Sequence, residues 1–368
     1  MSRIEEIDVN FKVNEVDENG IVYYNCMDKP FSLYGFYKPV ETGKFMRLPE
    51  SFSTDKRINS GVRSLMFHTA GGRVRFVTDS KIVNIRVNLA TPVCFMPHMA
   101  ESGILGFDMY VASCDKMTKP LYKKTFIPSG VTRDEGNYSG SYEFEDSTLR
   151  EIIINFPLYN GVGSLYIGLC DGCALKEASP YCIELPMVFY GSSVTQGGCA
   201  SRPGTNYTHY LSRWLDADFL NLGFSGSDLG EKALAEYIAT IPMSVFILAY
   251  GYNAPTKIYY ENTYYPFYKI VREANPNLPI VMMSSPVCPD IKTESIAKQM
   301  TEYRKIVIEA YEKAIASGDN NVYLIDGFTL LGDSEGVEAT VDGTHPTDLG
   351  FYNMARMLYP LLNKILFG

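Results

Sequence analysis

Residues 190–204 read YGSSVTQGGCASRPG and follow directly on the apolar run MVFY at 187–190. A strand that ends in Gly-Ser-Ser and gives way to a helix some ten residues later holds one serine on a strained, exposed corner, where α/β enzymes carry a nucleophile. That reading requires a parallel sheet around it. The second half of the chain supplies one. Strand-like runs MVFY (187–190), DFLNL (218–222), SVFILAY (244–250), IVMMS (280–284) and NVYLI (321–325) alternate with helical stretches near 204–216, 229–240, 262–274, 294–317 and 348–366. In the last of these, Met354, Met357, Leu358, Leu361, Leu362 and Ile365 recur at helical spacing, so it is expected to cover the sheet.

The first half keeps a different rhythm. From about residue 8 to 175 the apolar period is two: Val83, Ile85, Val87 and Leu89 alternate with Asn84, Arg86 and Asn88, and Val74 and Phe76 alternate with Arg73 and Arg75. The runs SLYGFY, SLMFH, EIIINF and SLYIGL are separated by clusters of Gly, Asn, Asp and Pro. Half-buried strands at this spacing predict an all-β sandwich of jelly-roll type. The chain therefore divides into a β-sandwich domain (1–178) and an α/β domain (179–368), with residues 176–186 as the linker.

Bulk properties narrow the function. The 368 residues are 46% hydrophobic and 20% charged, an ordinary globular balance. A formal net charge of -9, without clustered Lys and Arg, argues against nucleic acid or an anionic membrane as the main partner and leaves small neutral or cationic substrates open. The start MSRIEEIDVN lacks a basic segment followed by an apolar core, so a cytoplasmic location is expected unless a leader was trimmed. Cys26, Cys94, Cys114, Cys170, Cys173, Cys182, Cys199 and Cys288 read as buried thiols rather than a disulfide framework; the CxxC of Cys170 and Cys173 has no fourth ligand at zinc-site spacing.

In an open parallel sheet, ligands bind beyond the carboxyl ends of the strands. The first strand is followed there by Gly191-Ser192-Ser193, the second by Gly223-Phe224-Ser225-Gly226-Ser227 and the third by Gly251-Tyr252-Asn253. The fifth leads to Asp342-Gly343-Thr344-His345 before the last helix. One edge thus gathers a hydroxyl, backbone and side-chain amides, and an Asp/His pair. These are the components of acyl transfer.

This arrangement resembles the SGNH hydrolases, or GDSL-like esterases, whose four blocks have counterparts here in order. GSSVTQGG stands for the first block, with Ser193 at the nucleophile and Ser192 where Asp is common. NLGFSGSD matches the second, AYGYNAPT the third and DGTHPTDLGF the fourth. The strings GSSVTQGGCASRPG and VDGTHPTDLGFYNMA, with Gly106-Phe107-Asp108-Met109-Tyr110 as a G-x-D-L-Y-like motif, are similar to a two-domain bacterial branch with an N-terminal sandwich. The resemblance implies a flavodoxin-like three-layer α/β/α domain with a five-stranded parallel sheet. It also implies a Ser193–His345–Asp342 triad and an oxyanion hole of the Ser193 and Gly226 amides with the Asn253 side chain. No metal or organic cofactor is implied.

Taken singly, each feature has a structural reading: Ser193 and Gly226 as turn residues, Asn253 as a turn residue before Ala-Pro, Asp342 and His345 as helix-entry residues. Their conjunction, each after the appropriate strand, is what points to a hydrolase site. Among the remaining candidates, His209 reads as a satisfied structural histidine, Cys199 as packing and Arg202 as a tie for its loop. The implied activity is a serine esterase removing small acyl groups, acetyl foremost, from a carbohydrate. The alternatives are a lipase or thioesterase on longer chains, and a non-catalytic glycan-binding protein on a retained hydrolase fold.

Overall fold

The computed structural model describes residues 16–116, 118–129, 134–287, 293–332 and 338–368; the start of the expected period-two region and Cys288 lie outside them. The first half contributes β1 (Ile21–Asn25), β2 (Ser32–Tyr34), β3 (Arg73–Thr78), β4 (Ile82–Leu89), β5 (Phe107–Ser113), β6 (Leu121–Phe126), β7 (Asn137–Glu143), β8 (Arg150–Asn155), β9 (Val162–Cys170) and β10 (Leu175–Lys176). Short helices α1 (Pro39–Thr42), α2 (Ser60–Leu65) and α3 (Glu101–Ile104) lie on the connections. The strands form two antiparallel sheets, β1-β9-β4-β7 and β10-β3-β8-β5-β6, with β2 added on β3. From β3 onward the chain passes repeatedly between the sheets, the jelly-roll-like sandwich that the alternation predicts. In β4 the alternation is literal: Val83, Ile85, Val87 and Leu89 are buried.

The second half contains β11 (Ile183–Gly191), α4 (Ser193–Gln196), α5 (Tyr207–Leu215), β12 (Ala217–Gly223), α6 (Lys232–Ile238), β13 (Val245–Ala249), α7 (Lys257–Ala274), β14 (Ile280–Met283), α8 (Glu294–Ala316), β15 (Val322–Ile325) and α9 (Asp348–Phe367). All five strands are parallel, in the order β12-β11-β13-β14-β15. This is the flavodoxin-like 2-1-3-4-5 arrangement. Helices α5 and α9 pack on one face, with α6, α7 and α8 on the other. Among the described residues no helix is long and apolar enough to cross a membrane.

Two sequence expectations are corrected. Arg73 and Arg75 were expected on a solvated face, yet they are 1% and 2% exposed. The sandwich sheet is covered there by the parallel-sheet half, and both arginines are paired, Arg73 with Asp218 of β12 and Arg75 with Glu151 of β8 at 2.5 Å. Nor is 176–186 a free linker: β11 already begins at Ile183, and the buried Tyr181 hydroxyl accepts from Arg73 Nε at 2.8 Å. Periodicity reports only that a face is apolar or polar, not what lies against it.

Strand β12 is an edge of the parallel sheet, and its outward carbonyls would go unpaired in a dry interface. Arginines from the sandwich half satisfy them. Arg73 Nη1 donates to Phe219 O at 3.2 Å, and Arg47 Nη1 donates to Asn221 O at 2.9 Å and Gly223 O at 2.6 Å. Arg47 Nη2 also reaches Leu65 O at 2.6 Å. The backbone approach is close: Gly71 has φ +83, and a Cβ there would stand 2.7 Å from Asn221 Cβ. Burial lowers the Arg47 pKa to about 9, which still leaves the guanidinium charged at neutral pH. Replacing Arg47 by Met should cost on the order of 3 kcal/mol, because each orphaned buried carbonyl is worth about 1–3 kcal/mol. Arg47→Lys should recover little, since one ammonium cannot span three acceptors. Urea unfolding midpoints of the three proteins measure both effects.

Candidate active site

The first corner differs from expectation. No ten-residue gap separates strand from helix: α4 begins at Ser193 itself, and the Ser192 hydroxyl caps it by accepting from Val194 N at 3.3 Å. Gly197, at φ +111, closes the turn. Ser193 is 6% exposed rather than perched in solvent, because residues of the sandwich half cover it. Tyr159, at the end of a loop after β8, donates its hydroxyl to Ser193 O at 3.2 Å.

Ser193 Oγ lies 3.0 Å from His345 Nε2, and His345 Nδ1 lies 2.8 Å from Asp342 Oδ2. A carboxylate beside Nδ1 fixes the proton there, so Nε2 is left as acceptor for the serine hydroxyl. Asp342 Oδ1 also accepts from the backbone N–H groups of His345 and Thr344 at 2.8 and 2.9 Å. Burial opposes the Asp342 charge, but these two N–H groups and the imidazole overcome it and hold its pKa at about 2. Asp342 therefore remains ionised across the working range of any esterase.

Of the other expected residues, Gly226 adopts φ +67, and a Cβ there would meet nothing within 4 Å. The left-handed backbone is the reason for glycine, and the space before it is open. Asn253, half-buried, donates Nδ2–H to Asp228 Oδ1. A carboxamide has two such hydrogens, so one is held by Asp228 while the other is available to a developing oxyanion.

Asp228 is one of three residues in this region that the sequence reading passed over. Fully buried, it also accepts from Gly251 N at 3.2 Å, so it orients the loop after β13. Burial raises its pKa to about 7 against the opposing pull of the Asn253 and Gly251 donors. Gln196 is the second: its Oε1 accepts from Ser225 N at 3.0 Å, and its Nε2 donates to Leu158 O at 3.0 Å and His68 Nδ1 at 3.3 Å. Burial, with Arg47 adding to it, lowers the His68 pKa to about 3, so its ring is neutral and free to accept. Tyr159 is the third. The available signal was position, since Asp228 and Gln196 sit within the quoted blocks.

The G-F-D-M-Y motif lies outside the proposed triad but grips the loop that follows Ser193. Asp108, fully buried, accepts from Arg202 Nη1 at 2.9 Å, Gly204 N at 2.8 Å and Asn155 Nδ2 at 2.8 Å, while Tyr110 also holds Arg202. Arg202 is thus the loop tie expected of it. Cys199 packs as expected, with its thiol donating to His98 O at 3.4 Å; burial and then Asp342 push its pKa up to about 12, so it is no thiolate nucleophile. His209 is buried in α5 edge-on to Phe219, but it is not the satisfied residue expected: neither ring nitrogen has a partner among the described residues.

A flavodoxin-like sheet with Ser, His and Asp in line at its carboxyl edge defines an SGNH-type hydrolase. Residues 184–363 match the GDSL-like Lipase/Acylhydrolase family, and residues 21–175 match GxDLY, the "N-terminus of Esterase_SGNH_hydro-type". The chain belongs to this family of GDSL-like, SGNH-type esterases and is a carboxylic ester hydrolase. A protein described as a GDSL-like lipase from Bacteroides ovatus ATCC 8483 is 26% identical, with TM-score 0.83 over 94% of this chain and 98% of its own. A salicylyl-acyltransferase from a tetracycline biosynthetic pathway is 18% identical, with TM-score 0.74 over 95% and 98%. An acetyl xylan esterase from the rumen bacterium Butyrivibrio proteoclasticus shares the fold at 14% identity, with TM-score 0.56 over 94% of this chain and 98% of its own. No curated protein matches the sequence.

Asp228→Asn tests the positioning of Asn253. The new amide faces one donor with its own NH2, so Asn253 loses its orientation, and kcat should fall toward the roughly 10²- to 10³-fold loss of an oxyanion donor with KM little changed. Stability should respond to pH as well. The folded value near 7 lies above the usual ~3.9 of an unfolded Asp, so the contribution is fully present below pH ~4 and is lost as pH rises through 7. Denaturation midpoints across that window should show the decline in the wild type and not in Asp228→Asn.

Proposed function

We propose that this chain hydrolyses short acyl esters, acetyl foremost, on a carbohydrate. Residues 179–368 act as the catalytic domain and 1–178 as an accessory sandwich. Ser193 attacks the ester carbonyl as His345 Nε2 takes its proton, and His345 then returns a proton to the departing alcohol while Asp342 stabilises the imidazolium. The Ser193 and Gly226 amides and the Asn253 carboxamide face the oxyanion. Water then releases the acyl group from Ser193. What carries this reading is the unbroken hydrogen-bond line from Asp342 through His345 to Ser193, at 2.8 and 3.0 Å.

The substrate class draws support from fold relatives with the same two-part build. A family two carbohydrate esterase from Cellvibrio japonicus and the Butyrivibrio acetyl xylan esterase each align over 94% of the chain. A long acyl chain would need an apolar tunnel beside Ser193. One apolar cavity, of about 480 Å³ between the sandwich and the α5/α9 side and lined in part by Trp214, Phe219 and Phe367, does not serve that purpose, since none of the three proposed catalytic residues is in its wall.

Hydrolysis of para-nitrophenyl esters from acetate to octanoate, followed by acetate release from acetylated xylan, tests the proposal. Acetate turnover that declines with chain length is expected, with losses of about 10⁴-fold or more in Ser193→Ala and His345→Ala. Turnover rising with chain length would point to a lipase or thioesterase. Glycan binding with no ester turnover would point to a binding protein.

A further inference from the structure

Beside the proposed triad, the sandwich half and the loop after α4 bring a second set of groups to His345. The exposed His98, from the segment between β4 and α3, sets its ring 5.4 Å from that of His345. Cys199 completes the group from a left-handed backbone, φ +71, that residues other than glycine rarely adopt. One ligand atom from each of His98, Cys199 and His345 lies within 4.8 Å of the others.

The geometry points to an inhibitory metal site, in which His98, Cys199 and His345 take up a divalent metal of the zinc class and withdraw His345 from catalysis. Two imidazoles and a thiolate are a zinc donor set, with a fourth position left for water. Tetrahedral zinc places a thiolate sulfur and an imidazole nitrogen about 3.5 Å apart, so the ligands must close in modestly. His98, being exposed, is free to swing. Binding expels the thiol proton to solvent and involves no redox step. Both ring nitrogens of His345 are already engaged, one by Ser193 and the other by Asp342. A metal on either nitrogen therefore removes the base or its orienting carboxylate.

The effect on rate rests on the esterase reading, whereas metal binding does not. The full chain, stripped with EDTA, would be titrated with cobalt(II) and read by the thiolate-to-cobalt charge-transfer absorption. The band is expected in the wild type and absent in Cys199→Ser. In His98→Ala it should need more than the roughly 10- to 100-fold extra metal that loss of an outer-sphere partner costs. In parallel, zinc should inhibit wild-type ester hydrolysis reversibly by EDTA, while Cys199→Ser and His98→Ala, unchanged in metal-free turnover, resist it. No band in the wild type, a band that persists in Cys199→Ser, or equal zinc inhibition of all three proteins would overturn the proposal. If no ester is turned over, the cobalt titration still decides the metal site by itself, and the failure belongs to the esterase reading.

Discussion

The open edge of β12 is the constraint on which the architecture turns. A parallel sheet buried on both faces still leaves outward carbonyls on its edge strand, and a dry interface cannot tolerate them unpaired. Arg47 and Arg73 meet the carbonyls of Phe219, Asn221 and Gly223, three alternate residues along that edge. Because the donors come from one half of the chain and the acceptors from the other, the same hydrogen bonds satisfy the edge and set how the sandwich sits on it. Arg73 is further held by Asp218 and stacked over Phe219 with its guanidinium carbon 4.1 Å from the ring centroid, so its burial is compensated by charge and π contact.

The docked sandwich then becomes part of the site. Its loops supply Tyr159 against Ser193, and Leu158 O and His68 for Gln196. Glycine at 198 follows from that crowding, since a Cβ would stand 2.8 Å from the Tyr159 hydroxyl and 3.2 Å from the His345 ring. Asp108 and Arg202 brace the loop on the far side. The proposed catalytic groups thus sit in a framework that neither half builds alone, as preorganisation requires.

Much of this was legible along the chain. The period-two and strand–helix rhythms depend only on which face of each element is apolar, so they revealed a sandwich followed by a parallel sheet. Ser193, Gly226 and Asn253 were legible because they fall directly after strands at the sheet's carboxyl edge, and Asp342 and His345 because they stand just ahead of the last helix. Asp228 and Gln196 were not, though they lie in the same blocks, because a buried polar side chain is defined by partners distant in sequence: Asp228 by Asn253 and Gly251, Gln196 by Ser225, Leu158 and His68.

The amino-acid order by itself determined the elements, their sequence of types and the family they belong to, since these follow from local periodicity and short motifs. Only the tertiary structure decided that Arg73 and Arg75 are buried, that Ser193 is covered and opens its own helix, and that His98 and Cys199 stand beside His345. Each depends on how two separately patterned halves meet. Such contact is set by hydrogen bonds across the interface, which hydrophobic period does not record.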